Sequence, residues 1–286
     1  MENSALKIKE WFRSQKIVLP SLHVVLGSGL ASSLDGFDKE HLEKNKSDWK
    51  LKGILHFSDI PGINPSTAPG HSAAFKFYEK NGKTLSFQTG RLHGYEGHTP
   101  QAVVKPLSVL CDLGVQKFIL TNAAGSLQAH MKAGSVMMIN DQVNFTGLNP
   151  LTGPNDESKG PRFPDMSQCY SPRINEIIKK NLLQNNVVVH HGTYIGVNGP
   201  CFESAAEVKL FSNWGMGAVG MSTVFEAIAL RHRGSEVGGL SFLANMGTGL
   251  AEKAHEKLSG DEVLEEGKKK APLLLSAIFK SAEELI

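Results

Sequence analysis

Five functional side chains stand among three glycines in Gly90–His98, GRLHGYEGH. Arg91, His93 and Tyr95 alternate with Leu92 and Gly94, so an extended backbone would set all three on one side. The planar fork of an arginine can hold a phosphate with two hydrogen bonds. Three further stretches suit an anion. In Lys117–Ser126, KFILTNAAGS, the apolar run Phe118-Ile119-Leu120 breaks into Asn122, Ala123, Ala124, Gly125 and Ser126. That pattern predicts a buried strand ending in a small-residue loop, where Ala and Gly let an anion approach the backbone closely. Gly27-Ser28-Gly29 follows the apolar strand Leu22–Leu26. Ser32 stands where a dinucleotide fingerprint would need its third glycine. Finally, Ser222-Thr223 follows the short strand Ala218–Met221, and Thr223 with Glu226 reads as a capping box for a helix Val224–Arg231. The positive end of that helix would then lie near the Ser222 hydroxyl. Each stretch alone is also what an ordinary turn or polar loop looks like; the weight lies in their number.

A second group suits a flat ligand with polar edges. Phe202-Glu203, in GPCFE, offers an aromatic face and a carboxylate. Asn245 supplies an amide, and Val219 and Met221 an apolar floor. Together the two groups point to phosphate held beside a planar heterocycle.

The elements that must position these residues alternate. Amphipathic helices are expected at Ala5–Ser14, Thr99–Leu113 (capped by Thr99-Pro100, with Pro106 inside it), Arg173–Leu183, Ser204–Phe211 (a Ser204/Glu207 capping box) and Ser259–Leu285. Strands are expected at Ser135–Asn140, Val187–Val197 and Val237–Leu243, and a hairpin at Phe75–Tyr78 and Thr84–Gln88 around Asn81-Gly82. His190 and His191 are adjacent on a strand, so they face opposite ways and read as structural. Asp35–Asn64 gives no clear element. Asn144–Gln168 is a long Pro/Gly/Asn-rich loop, of a length usually functional or disordered. Strands and helices in this alternation predict one α/β domain, residues 1–286, with a central mixed sheet flanked by helices.

Composition narrows the classes. The chain has 286 residues, 41% hydrophobic and 20% charged, with a net charge of +2. That is too near neutral to suggest nucleic acid, and Lys268-Lys269-Lys270 reads as a solvated helix face. Cys111, Cys169 and Cys201 are widely spaced, without a CxxC pair or Cys/His cluster, so neither zinc nor a disulfide framework is expected. The polar amphipathic start is not a signal peptide, and no apolar stretch is long enough to span a membrane. A reducing cytoplasm is the simplest expected location.

Taken in order, GSG at Gly27–Gly29, PGH at Pro69–His71, GRLHGYEGH at Gly90–His98, TNAAGS at Thr121–Ser126, RFPDMS at Arg162–Ser167, GPCFE at Gly199–Glu203 and VGMSTVFE at Val219–Glu226 resemble the trimeric family of purine nucleoside phosphorylases. The resemblance spans essentially the whole chain. It implies phosphorolysis of a purine nucleoside to free base and ribose 1-phosphate. It also implies that Ser28, Arg91, Ser222 and the Ala123 amide hold phosphate, with His71 and His93 beside it. Tyr95 and Met221 would contact the ribose, Phe202 would pack on the base, with Val219 beneath, and Glu203 and Asn245 would read its edge. Phe163 would reach into a neighbour's site, which implies a homotrimer. The resemblance implies no metal or organic cofactor, only inorganic phosphate as co-substrate. Gly260 stands where the family has a histidine for the ribose 5′-hydroxyl, and Ala244 where many relatives have threonine. Two other readings are methylthioadenosine phosphorolysis, which would prefer an acidic residue at Asn245, and a non-catalytic nucleoside or phosphate sensor.

Overall fold

Nine strands and seven α-helices alternate along the described residues, 3–38, 48–65, 73–250 and 259–286 of the computed structural model. They run Asn3–Gln15 (α1), Leu22–Val25 (β1), Leu30–Phe37 (α2), Lys50–His56 (β2), Ala74–Lys80 (β3), Lys83–Gln88 (β4), Pro100–Leu113 (α3), Lys117–Ser126 (β5), Val136–Asn144 (β6), Pro172–Gln184 (α4), Val189–Gly196 (β7), Ala205–Asn213 (α5), Ala218–Gly220 (β8), Val224–His232 (α6), Glu236–Met246 (β9) and Gly260–Leu285 (α7). The strands form one mixed sheet, in the order β2-β3-β4-β1-β5-β8-β7-β6-β9, with β9 also paired to β5. That second pairing closes β5, β8, β7, β6 and β9 into a ring. β4, β1, β5 and β9 run parallel, and β2–β3–β4 is an antiparallel extension.

The period-2 alternation of the strands divides the core in two. Val25, Phe75, Phe77, Phe118 and Leu120 pack on one face with α1, α3 and α6. Leu22, Val24, Leu85, Phe87 and Ile119 pack on the other with α2, α4 and α7. The hairpin forms as its turn residues demand. Asn81 and Gly82 take φ of 51° and 73°, the left-handed pair of a two-residue primed turn, and Lys80 faces Lys83. The Thr99 and Ser204 caps are both made, and α3 continues through Pro106. β2 left little trace in the sequence because it is an edge strand with only Leu55 buried, so alternation is almost absent. No described helix is long and apolar enough to cross a membrane.

Three local expectations need correction. Asn122–Ser126 is not a loop: β5 continues to Ser126, paired with β9 and with a bulge after Ala124. Small residues there serve close strand packing rather than a turn. Nor is there an extended run at Arg91–Tyr95, because Gly94–Glu96 forms a turn of 3₁₀ helix. Thr223 and Glu226, third, do not form the expected capping box of α6.

Candidate active site

β1 and β5 stay paired only as far as Val25 and Leu120, and β8 joins β5 only at Gly125. Between those points one side of β5 has no strand neighbour. Thr121 holds the departing chain there: its hydroxyl accepts from the Gly27 amide at 3.0 Å and donates to the Val25 carbonyl at 2.9 Å. The Gly27–Gly29 turn fits only because of its glycines. A Cβ at Gly27 would lie 2.7 Å from the Asn122 Cα, and one at Gly29, where φ is 82°, 2.7 Å from the Gly267 Cα on α7. Ser28 is thereby set at the mouth of the gap.

A cleft opens at this gap. Ser28, Arg91, His93, Tyr95, Ala123, Met221 and Ser222 line it together with Phe202, Glu203, Val219 and Asn245. Eleven positions singled out in the sequence, scattered from 28 to 245, therefore share one cavity. Phe163 does not join them. It is 87% exposed, with the Arg162 guanidinium 5.8 Å from its ring centre, and lines a separate hollow with Asn144, Leu151 and Met166. His71 lies outside the described residues.

Arg91 is 2% exposed. Its Nε and Nη2 donate to the two carboxylate oxygens of Glu226 at 3.1 and 2.9 Å, and Nη1 donates to the Thr121 carbonyl at 2.9 Å. Glu226 does not cap α6; the Thr223 side chain makes no cap bond either. Glu226 instead grips the arginine fork, because a guanidinium this deep needs a counter-charge more than a helix end needs a cap. A carboxylate three residues after a threonine carries the same sequence signal in both roles.

Behind the cleft, Glu96 receives the His93 backbone amide and Nδ1, both at 2.9 Å. The carboxylate fixes the tautomer with its proton on Nδ1, so that in the neutral ring Nε2 is an acceptor. Burial holds the His93 imidazole below its ordinary range, partly offset by Glu96. The His93 and Tyr95 rings stack 4.6 Å apart at 17°. At the other end, burial raises the Glu203 carboxyl above the ordinary range. The Asn245 amide donates one N–H to the Met246 carbonyl at 2.9 Å. It lies over Gly125, where a Cβ would already be 3.4 Å from the Asn245 Nδ2.

Asn122, Ala124, Gly125, Gly220 and Val263 also line the cleft. Val263 comes from α7, so the last helix reaches the site through its first turn. Its apolar type gave no sign of that. No group of three or more His, Cys, Asp or Glu side chains suited to a metal occurs among the described residues.

The sequence matches the Phosphorylase superfamily over residues 38–280. It is 37% identical over 265 residues to purine nucleoside phosphorylase 1 of Geobacillus stearothermophilus, covering 93% of this chain and 90% of that one. It is 36% identical over 270 residues to purine nucleoside phosphorylase of Bos taurus, covering 93% and 89%. Among solved structures, Schistosoma mansoni purine nucleoside phosphorylase with inosine superposes with a TM-score of 0.84 at 29% identity, covering 99% of this chain and 96% of that one. The same enzyme with adenosine gives 0.83 at 30%, covering 98% and 95%. The chain belongs to the phosphorylase superfamily and, within it, to the purine nucleoside phosphorylases.

Proposed function

We propose that this protein cleaves purine ribonucleosides and deoxyribonucleosides with inorganic phosphate, favouring inosine and guanosine, and serves purine salvage in the cytoplasm. One observation carries the reading: a single cleft is lined by the hydrogen-bonding side chains of Ser28, Arg91, His93 and Ser222 and by the aromatic, carboxylate and amide side chains of Phe202, Glu203 and Asn245, which we read as its anion part and its base part. Phosphate in the first part, helped by the Ala123 amide and by His71, would sit under the anomeric carbon of a nucleoside whose base fills the second. Tyr95, Met221 and a neighbour's Phe163 would enclose the ribose, with Val219 under the base.

A phosphate oxygen forms the new bond to the anomeric carbon as the carbon–nitrogen bond to the base breaks, and that bond's electron pair leaves with the purine. Holding the nucleophile in place is mainly a positioning effect. Arg91 cannot drift, because Glu226 and Thr121 fix its plane. The second Asn245 N–H stabilises negative charge growing on the five-membered ring, and does so most strongly in the transition state. Glu203, ionised, accepts from the ring N–H of hypoxanthine or guanine. No organic cofactor or metal enters these steps. Phe163, exposed in one chain, is buried in a homotrimer on this reading. The test is inosine with purified protein, with and without phosphate. Hypoxanthine released only with phosphate is the expected result, and no release from any purine nucleoside would refute the proposal.

A further inference from the structure

We propose that Thr223 is a positioning residue that aims the Ser222 hydroxyl proton into the cleft; this rests on the reading of Ser222 as a phosphate ligand. Thr223 is buried and stands at the head of α6 with φ of 72°. A β-branched residue in the left-handed region is an outlier, and such a conformation persists only where its surroundings hold it. It is not kept for capping, since its side chain bonds no amide of the helix.

What the side chain does instead is accept and pass on a proton direction. Asn122 Nδ2, on β5, donates to Thr223 Oγ1 at 2.9 Å, with both residues buried. Thr223 Oγ1 lies 3.1 Å from Ser222 Oγ. A hydroxyl has one proton to give. Either oxygen can donate across that contact; in the proposed arrangement Oγ1 accepts from Asn122 and the Thr223 proton goes to Ser222 Oγ. Ser222 then has its own proton left to donate, and it lines the cleft. The turn that carries Ser222 is pinned from below by Tyr194 on β7, which is wholly buried. Its hydroxyl accepts from the Ser222 amide at 3.4 Å. That hydroxyl would lie 2.5 Å from a Cβ at Gly220, so the residue before Met221 must be glycine for Tyr194 to reach the turn. Asn122, Thr223 and Tyr194 thus orient the ligand hydroxyl without needing to meet the ligand themselves.

Thr223→Val deletes the hydroxyl at nearly constant shape. The expected result is a 5- to 10-fold rise in the KM for phosphate (about the value of one neutral hydrogen bond). The KM for inosine at saturating phosphate should change by less than about 2-fold, since a neutral contact at the anion end carries no share of base binding. Thr223→Ser, which restores the hydroxyl, should return the phosphate KM to near that of the unaltered enzyme. Thr223→Ala, free of the branched Cβ, gives the same test if the valine variant does not fold. An unchanged phosphate KM in the valine or alanine variant, an equal rise in both KM values, or no rescue by serine would each overturn the inference. Phosphorolysis that saturates normally with phosphate in a Ser222→Ala variant would instead overturn the reading of Ser222, and is told apart by that variant alone.

Discussion

Glu226→Ala should cost this protein more stability than any ordinary surface change, and the structure gives the size. Glu226 supplies two charge-assisted hydrogen bonds to Arg91, at 3.1 and 2.9 Å, and both side chains are 2% exposed. A hydrogen bond to a charged group is worth roughly 1.5–3 kcal/mol, so the two sum to roughly 3–6 kcal/mol. Removing one partner of a buried pair costs about 3–5 kcal/mol by a separate route, because the other charge stays buried without its counter-ion. The two ranges overlap, and a loss of about 3–5 kcal/mol is expected in urea unfolding at pH 7. The Thr121 carbonyl still takes one N–H of Arg91 and limits the loss from the upper side. In the same variant the guanidinium loses its fixed plane, so the KM for phosphate should rise about 10-fold or more. The double variant Arg91→Met/Glu226→Leu removes both charges at similar volume. It should recover most of the lost stability while losing phosphate saturation, since buried pairs replaced by apolar residues are often neutral in stability. A loss below about 1 kcal/mol for Glu226→Ala, against the range given for a broken buried pair, would refute the claim that this pair is the electrostatic anchor of the site.

Three other outcomes are expected. Inosine and guanosine should be good substrates and adenosine poor, by up to about 10⁴ in kcat/KM, because an ionised Glu203 has no proton for adenine's bare ring nitrogen. Glu203→Gln should narrow the gap. Comparable kcat/KM for adenosine and inosine in the unaltered enzyme would remove Glu203 as the discriminating group, whereas adenosine bound in a crystal of the Schistosoma mansoni relative bears on binding and not on turnover. If Phe163 covers a neighbour's ribose, activity should fall on dilution through the range in which light scattering shows the trimer dissociating, and a fully active monomer contradicts it. Finally, burial pulls the His23 imidazole down to about 3. Its folded value lies below its unfolded one, so the unfolded chain binds the extra proton between them. The stability from keeping His23 neutral is present above pH 6.5 and is lost as pH falls from there toward 3, at up to about 1.4 kcal/mol per pH unit. His23→Gln should flatten the acid limb of urea stability against pH, and identical slopes in the two proteins would show that His23 does not titrate this way.

The local sequence determined whatever depends on short-range chemistry. Asn81-Gly82 can only turn one way, Thr99-Pro100 and Ser204 with Glu207 can only begin helices, and the 3.6 and 2.0 periods mark which faces are buried. The residue types that suit an anion and a heterocycle were legible for the same reason, since Arg91, His93, Glu203 and Asn245 carry their chemistry wherever they sit. Tertiary structure decided which partner each group meets. Asn122–Ser126 reads as a loop until β9 is placed beside it, because Ala and Gly fit a tight turn and a close strand equally well. Glu226 reads as a cap until Arg91, 135 positions away in the chain, arrives with a charge that must be neutralised. Val263 is one apolar residue among many until α7 docks against the Ser28 turn through Gly29 and Gly267. In each case the local energies of the alternatives differ little, and a buried long-range contact, which no local pattern encodes, makes the choice.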